Sequence, residues 1–212
     1  MSGPDDPVAC AAYSSFEEMG ALQPLWDSFV EEVSGDIFLT FDWCRIWWKH
    51  YGGGRDLSVF VFTRGRDIVG IVPMFFETLR VGLVPVRVGK IVGCDHTLAQ
   101  FSLPIRGDSI ASCARSLVSE LEALKWTFIN LGPIAGMYPD AEALREALAR
   151  AAGGRMRVDE RENMVQTYFK LPATWDDFLA SLPKQQIARK YRALKKSASG
   201  ADGDISVARA DE

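Results

Sequence analysis

Apolar positions recur along the chain with two periods. Residues 8–13 predict a short first strand, and Ser14 and Ser15 with Glu17 and Glu18 three residues on are capping-box pairs that open a helix. Gly20 ends that first turn or two. Pro24 suits the first position of a new helix carrying Leu25, Trp26, Phe29, Val30 and Val33 on one face, with Ser34-Gly35 as its stop. Thr40 is the expected N-cap of a further helix over residues 41–51, which Gly52-Gly53-Gly54 terminates.

A block of β-branched and aromatic residues follows. Residues 57–63, a turn at Arg64-Gly65-Arg66-Asp67 and residues 68–77 predict a β-hairpin. Two more strands are expected over residues 80–92, with a break near Pro85, and over residues 100–103. Asp108 or Ser109 then caps a helix over residues 110–124. Residues 126–131 read as a buried strand and 139–152 as an amphipathic helix closed by Gly153-Gly154. Residues 155–161 with 164–171 read as a final strand pair. This order predicts an α/β (α+β) architecture, a mixed but mostly antiparallel sheet flanked by helices.

Beyond residue 171 the pattern changes. Residues 175–182 form a short acidic-to-apolar helix, Pro183 opens a strongly basic one, and residues 205–208 are a lone closing strand that resembles the start of another domain. The expected organisation is one lobe over residues 1–172, then linker helices and the beginning of a truncated second lobe over 173–212.

Composition adds limits. A chain of 212 residues, 48% hydrophobic and 25% charged, fits one large globular domain or a domain plus a fragment. A net charge of −4 offers no global attraction for polyanions, so a nucleic-acid reading would rest on the one basic patch near the C-terminus, and no nucleic-acid partner is expected. The opening M-S-G-P-D-D-P-V lacks the basic end and apolar core of a signal peptide, and no apolar run reaches the roughly 18 residues of a spanning helix. A cytoplasmic protein is expected. Cys10, Cys44, Cys94 and Cys113 form no C-x-x-C pair and read as buried free thiols. With only His50 and His96 besides, no metal site is expected.

Four segments together resemble a known family: F-L-T-F-D-W-C-R-I-W-W from Phe38, D-I-V-G-I-V-P-M from Asp67, the I-V-G at Ile91, and K-Q-Q-I-A-R-K-Y-R-A-L-K-K from Lys184. The chain resembles the CelD/BcsL group of acetyltransferases linked to cellulose and exopolysaccharide biosynthesis, relatives of the FemAB-like transferases, and its element order is that of the GNAT fold. The resemblance implies two GNAT-like lobes, the second holding an acyl-CoA donor such as acetyl-CoA and the first helping to shape the acceptor site. This chain would then be the acceptor-side lobe, without the C-terminal lobe, inactive alone and binding no cofactor itself. Its acceptor would be a small molecule or a glycan- or lipid-linked precursor. A non-catalytic GNAT-like binding module is the alternative.

The family's donor turn, Q/R-x-x-G-x-G/A, corresponds here to Arg106-Gly107-Asp108-Ser109-Ile110-Ala111. Ser109 replaces the central glycine and Asp108 brings a negative charge towards the phosphates, so the turn reads as a helix cap. The aromatic helix with Trp43 and Trp47 is either ordinary packing or a wall for the acceptor. Asp95 and His96, after a strand end, are acceptor ligands or a proton relay, or else a surface turn. Arg189 and Arg192, three apart on the basic helix, could share a phosphate; a solvated helix and a polyanion- or membrane-contacting one are the competing readings.

Overall fold

The computed structural model describes residues 7–33, 36–96, 102–134, 138, 140–159, 161, 172–181 and 189. The chain divides into two compact units, Met1–Asn163 and Met164–Glu212. In the first, strands β1 (Val8–Tyr13), β2 (Asp56–Arg64), β3 (Asp67–Val81), β4 (Val84–Ile91) and β5 (Phe128–Asn130) form one sheet in sequence order. Pairing is antiparallel from β1 to β4, and β5 joins β4 in parallel. Helices α1 (Gln23–Val33), α2 (Phe41–Tyr51), α3 (Ile110–Ala123) and α4 (Ala141–Ala152) flank it, so the sheet is mixed and mostly antiparallel as expected. The second unit shows a short helix α5 (Trp175–Ser181), capped by the Thr174 hydroxyl accepting from the Asp177 amide at 3.1 Å.

The two faces of β3 divide by parity. Gly70 lies under α3, where an added Cβ would stand 3.1 Å from the Cys113 sulfur. Phe75, on the opposite face, packs on Trp47 and Trp48 of α2 at centroid separations of 5.6 and 6.2 Å. Helix α2 holds its register because Phe41, Cys44 and Trp47 recur at helical spacing and are all buried. Its first turn is tied down from elsewhere: the Phe41 amide donates to the Asp27 carboxylate of α1 at 2.7 Å, while the Thr40 hydroxyl turns back to the Ile37 carbonyl at 2.8 Å. Thr40 is therefore the cap by position and Asp27 the cap by chemistry. Trp26 and Phe41 meet edge-to-face at 5.4 Å, and the Trp26 indole donates to the Leu39 carbonyl at 2.7 Å.

Several expected elements change. Ser14 and Ser15 do pair with Glu18, but they close a single turn followed by a 3-10 helix at Gly20–Leu22, so no α-helix opens there and Gly20 starts an element instead of ending one. Leu25 points to solvent and Val33 is half-buried, because Trp26, Phe29 and Val30 alone fill the contact with the sheet. Arg80 and Val81 belong to β3. The chain reverses at Gly82-Leu83, where Gly82 takes φ +63°, and Pro85 sits within β4 without breaking it. Neither Asp108 nor Ser109 caps the α3 backbone with its side chain; a 3-10 turn at Gly107–Ser109 leads into the helix. The strand expected over 126–131 shrinks to Phe128–Asn130 and is largely exposed, since the Trp126 indole is drawn to the Leu121 carbonyl at 2.6 Å. Residues 155–159 form no strand. The strand expected over 164–171, the basic helix except Arg189, and the strand over 205–208 lie outside the described residues.

Candidate functional site

The sheet carries one interruption that places chemistry. Strand β4 pairs with β3 from Val84–Val81 to Ile91–Met74, and the next β3 bridge is Gly70 with Ile105. The four steps from Met74 to Gly70 are answered by fourteen steps on the facing segment, so the chain leaves the ladder after Ile91 and rejoins it where the Ile71 amide donates to the Pro104 carbonyl at 2.9 Å. The excursion begins with Gly93, at φ +95°, and carries Cys94, Asp95 and His96. It leaves where the parallel β4–β5 pairing also stops, at Lys90 and Asn130. The carboxyl end of a parallel strand pair is a recurrent ligand position because the chain diverges there and leaves backbone groups and space.

Four charged side chains meet at this end. Glu77 of β3 accepts from Arg55 Nε at 3.0 Å and from Lys90 Nζ at 2.7 Å. Asp95 accepts from Arg55 Nη2 at 3.3 Å and Lys90 Nζ at 3.2 Å. The register explains the meeting. Phe75 faces Lys90 and Glu77 faces Val88 across β3–β4, which makes Glu77 and Lys90 diagonal neighbours on one face, and Arg55 enters just ahead of β2. The side chains are only 12–25% exposed, so the attraction acts in a poorly hydrated place and the two positive and two negative charges balance. Burial alone would lower the Lys90 pKa, but its hydrogen bonds to Glu77 and Asp95 win and hold it above 10.5. Lys90 is thus an ammonium donor at neutral pH. Arg55 Nη1 is buried with no hydrogen-bond partner, while its guanidinium carbon lies 4.7 Å from the Phe75 ring centre and 5.8 Å from that of Trp47.

An aromatic edge borders the cluster. The Trp47 indole donates to the Asp95 carbonyl at 3.1 Å and its ring lies 5.4 Å from Tyr51. Tyr51 is stacked by His96 at 4.8 Å, and His96 takes φ +62°, unusual for a side-chain-bearing residue and held here by the loop geometry. The structure therefore brings together Trp47, Asp95 and His96 of the residues expected from sequence. Trp43 instead sets its ring edge-to-face on Phe38 at 5.3 Å. Arg189 is a helical, exposed position of the second unit, and Arg192 lies outside the described residues. Arg55, Glu77, Lys90 and Tyr51 are additions. The available signal was phase: Glu77 and Lys90 continue the alternation of buried Phe75 and Val88 and so point to the same face.

The thiols are packing groups. Burial pushes the thiols of Cys94 and Cys113 up to about 12, and pushes Cys44 further. Among the described residues no cluster of His, Cys, Asp and Glu could hold a metal ion.

The turn at 106–111 does not fit a pyrophosphate. The Ser109 side chain is fully buried and its hydroxyl donates to Asp108 at 2.7 Å. That bond, with Arg64 at 3.4 Å, lowers the Asp108 pKa and keeps its carboxylate charged. Arg106 is occupied by Glu32 at 3.0 Å. The turn before α3 therefore presents the Asp108 carboxylate, and the nearest cations, Arg64 and Arg106, are already engaged by Asp108 and Glu32.

No family model matches the chain, and no curated protein matches it. Nine chains of solved structures are similar to it, two of them as follows. One is a ribosomal-protein-alanine N-acetyltransferase from Brucella melitensis biovar Abortus 2308, 14% identical over 76% of this chain and 99% of that one, with a TM-score of 0.39. The other is an integron cassette protein from the mobile metagenome of V. cholerae, 11% identical over 82% of this chain and 98% of that one, with a TM-score of 0.40. Neither likeness assigns a substrate or a reaction to this chain.

Proposed function

We propose that the chain is the acceptor-side lobe of a GNAT-like acyltransferase of the CelD/BcsL type, related to the FemAB-like enzymes, which moves an acyl group from acyl-CoA to an amine or hydroxyl of a cell-envelope or polysaccharide precursor. The observation that carries this reading is the convergence of Trp47, Tyr51, Asp95 and His96 with the charge cluster at the carboxyl end of β4 and β5. Tyr51, backed by the buried Trp47, gives an acceptor ring a flat apolar edge, and Asp95, fixed by Arg55 and Lys90, can accept a hydrogen bond from a hydroxyl or amine. His96 is exposed beside Asp95 and carries an imidazole nitrogen, so it takes the acceptor's proton as the new bond forms and the thiolate leaves. The donor would bind to the second lobe, because the turn at 106–111 opposes phosphate.

Calorimetry of acetyl-CoA against the 212-residue chain should give no binding heat. Tight binding would overturn the division between lobes. A second reading, a ligand-binding module without catalysis, is favoured by the pairing of both cluster carboxylates, which leaves neither Glu77 nor Asp95 free as a base. His96→Gln separates the two: a catalytic His96 loses transfer in the complete enzyme while acceptor affinity is kept, whereas a binding module shows no transfer to lose.

A further inference from the structure

The β3–β4 hairpin is long for the sheet that holds it. Beyond the ion cluster its two strands continue to Gly82-Leu83 as a ribbon, and its two faces differ in kind. On the face shared with the cluster, Leu79 opposes Val86 and Val81 opposes Val84, and Phe128 of the neighbouring β5 pairs with Val88 beside them. Val81 is 66% exposed, Val84 62% and Phe128 57%, and Leu83 at the tip is 100% exposed. The opposite face presents Thr78, Arg80, Pro85 and Arg87, with Arg87 folded onto Phe76 and paired to Asp56 at 2.8 Å. Soluble surfaces scatter such residues singly; a run of exposed aliphatic side chains on one face marks a surface made to meet something apolar.

We propose that this hairpin is a membrane-contact wedge, whose aliphatic tip enters the headgroup–acyl boundary of an anionic bilayer while Arg80 meets the lipid phosphates. Charge favours this occupant at the tip: from Thr78 to Val86 the sequence holds Arg80 and no acid, while Arg87 and Lys90 further along are paired to Asp56 and to the Glu77–Asp95 cluster. Shape favours it as well. Four residues of ribbon at about 3.3 Å each, two strands wide, offer a face of order 130 Å², far below the ~800 Å² per partner of a stable dimer, but enough to anchor a peripheral contact when charge assists.

The test is sedimentation of the full chain with vesicles of pure phosphatidylcholine and of phosphatidylcholine with roughly one-third phosphatidylserine. The chain should pellet with the anionic vesicles and much less with the neutral ones. Leu83→Asp should cut the partition by about tenfold or more, and Arg80→Glu by a smaller factor, with circular dichroism and melting unchanged because both positions are exposed. Arg80→Glu also isolates the charge effect from the apolar one. Failure of the wild-type chain to pellet, or pelleting unaffected by Leu83→Asp, overturns the proposal. So does a concentration-dependent dimer in the ultracentrifuge that Leu83→Asp abolishes, since that assigns the face to a second copy.

Discussion

Replacing Glu77 by Gln tests the charge cluster at its centre. Glu77 is the shared acceptor of Arg55 at 3.0 Å and Lys90 at 2.7 Å, and Asp95 alone would then balance two cations that are 15% and 19% exposed. Removing one partner of a fully buried pair costs about 3–5 kcal/mol, because an uncompensated charge is left behind. The remaining access to water discounts this to about 2–3 kcal/mol. For a chain of this size that corresponds to a drop in Tm of roughly 4–12 °C. Lys90→Met in the same background should recover part of the loss, since it removes the surplus charge and supplies an apolar side chain of similar length. A thermal-melt double-mutant cycle should therefore show a coupling of about 1–2 kcal/mol. A Glu77→Gln melt within ~1 °C of wild type, or strictly additive single changes, would refute the argument that these charges act as a unit.

Four further outcomes follow from the same structure. The folded-state pKa of Lys90 lies above 10.5, so its contribution is complete below that value and fades as pH rises through the folded pKa; urea midpoints measured from neutral to strongly alkaline pH should fall less in Lys90→Met than in wild type. Gly52→Ala would drive a Cβ to 2.5 Å from the Trp48 ring and carbonyl, and denaturant titration should show a loss of about 2–3 kcal/mol. Asp27→Ala removes the acceptor of the Phe41 amide at 2.7 Å and should cost about 1–2 kcal/mol in the same assay, whereas Thr40→Ala should cost less. Brief alkylation at mildly alkaline pH, read by mass spectrometry, should spare Cys44 and Cys113 in the folded chain and label them after denaturation.

How legible the molecule was in its sequence depended on the range of the forces involved. Helix α2 was readable to its ends because apolar spacing and Gly52 are local signals, and the β2–β3 hairpin because two β-branched and aromatic runs flank a glycine turn. Strand β5 was overestimated: residues 126–131 are mostly apolar, yet Trp126 is claimed by α3 and Phe128 lies on an exposed face, neither of which is a local property. The strand expected over 100–103 is not seen at 102–103, and 100–101 lie outside the described residues; the segment that returns to β3 is Pro104–Arg106, which bonds to Val69 and Ile71 through a single bridge at Ile105. The charge cluster was the least legible. Arg55, Glu77 and Lys90 each look like ordinary surface charges, and only the pairing of β3 with β4 places two of them diagonally beside a third. Asp95 and His96 could be suspected from their place after a strand end, while Trp43 and Trp47 looked equivalent on the helix until Phe38 and Asp95 separated them.

The central claim, that ligands meet this lobe at the end of β4 and β5 and that the turn before α3 takes no donor, can be tested with two-dimensional amide spectra of the labelled chain. An amino sugar serves as the acceptor probe, presenting an amine, hydroxyls and a ring face, and acetyl-CoA is added in a separate titration. The account predicts that the amino sugar shifts the Trp47 indole and the amides of Asp95 and His96, while acetyl-CoA leaves Gly107 to Ile110 unmoved. Shifts at Gly107 to Ile110 with acetyl-CoA, and none around Trp47, Asp95 and His96 with the sugar, would contradict it.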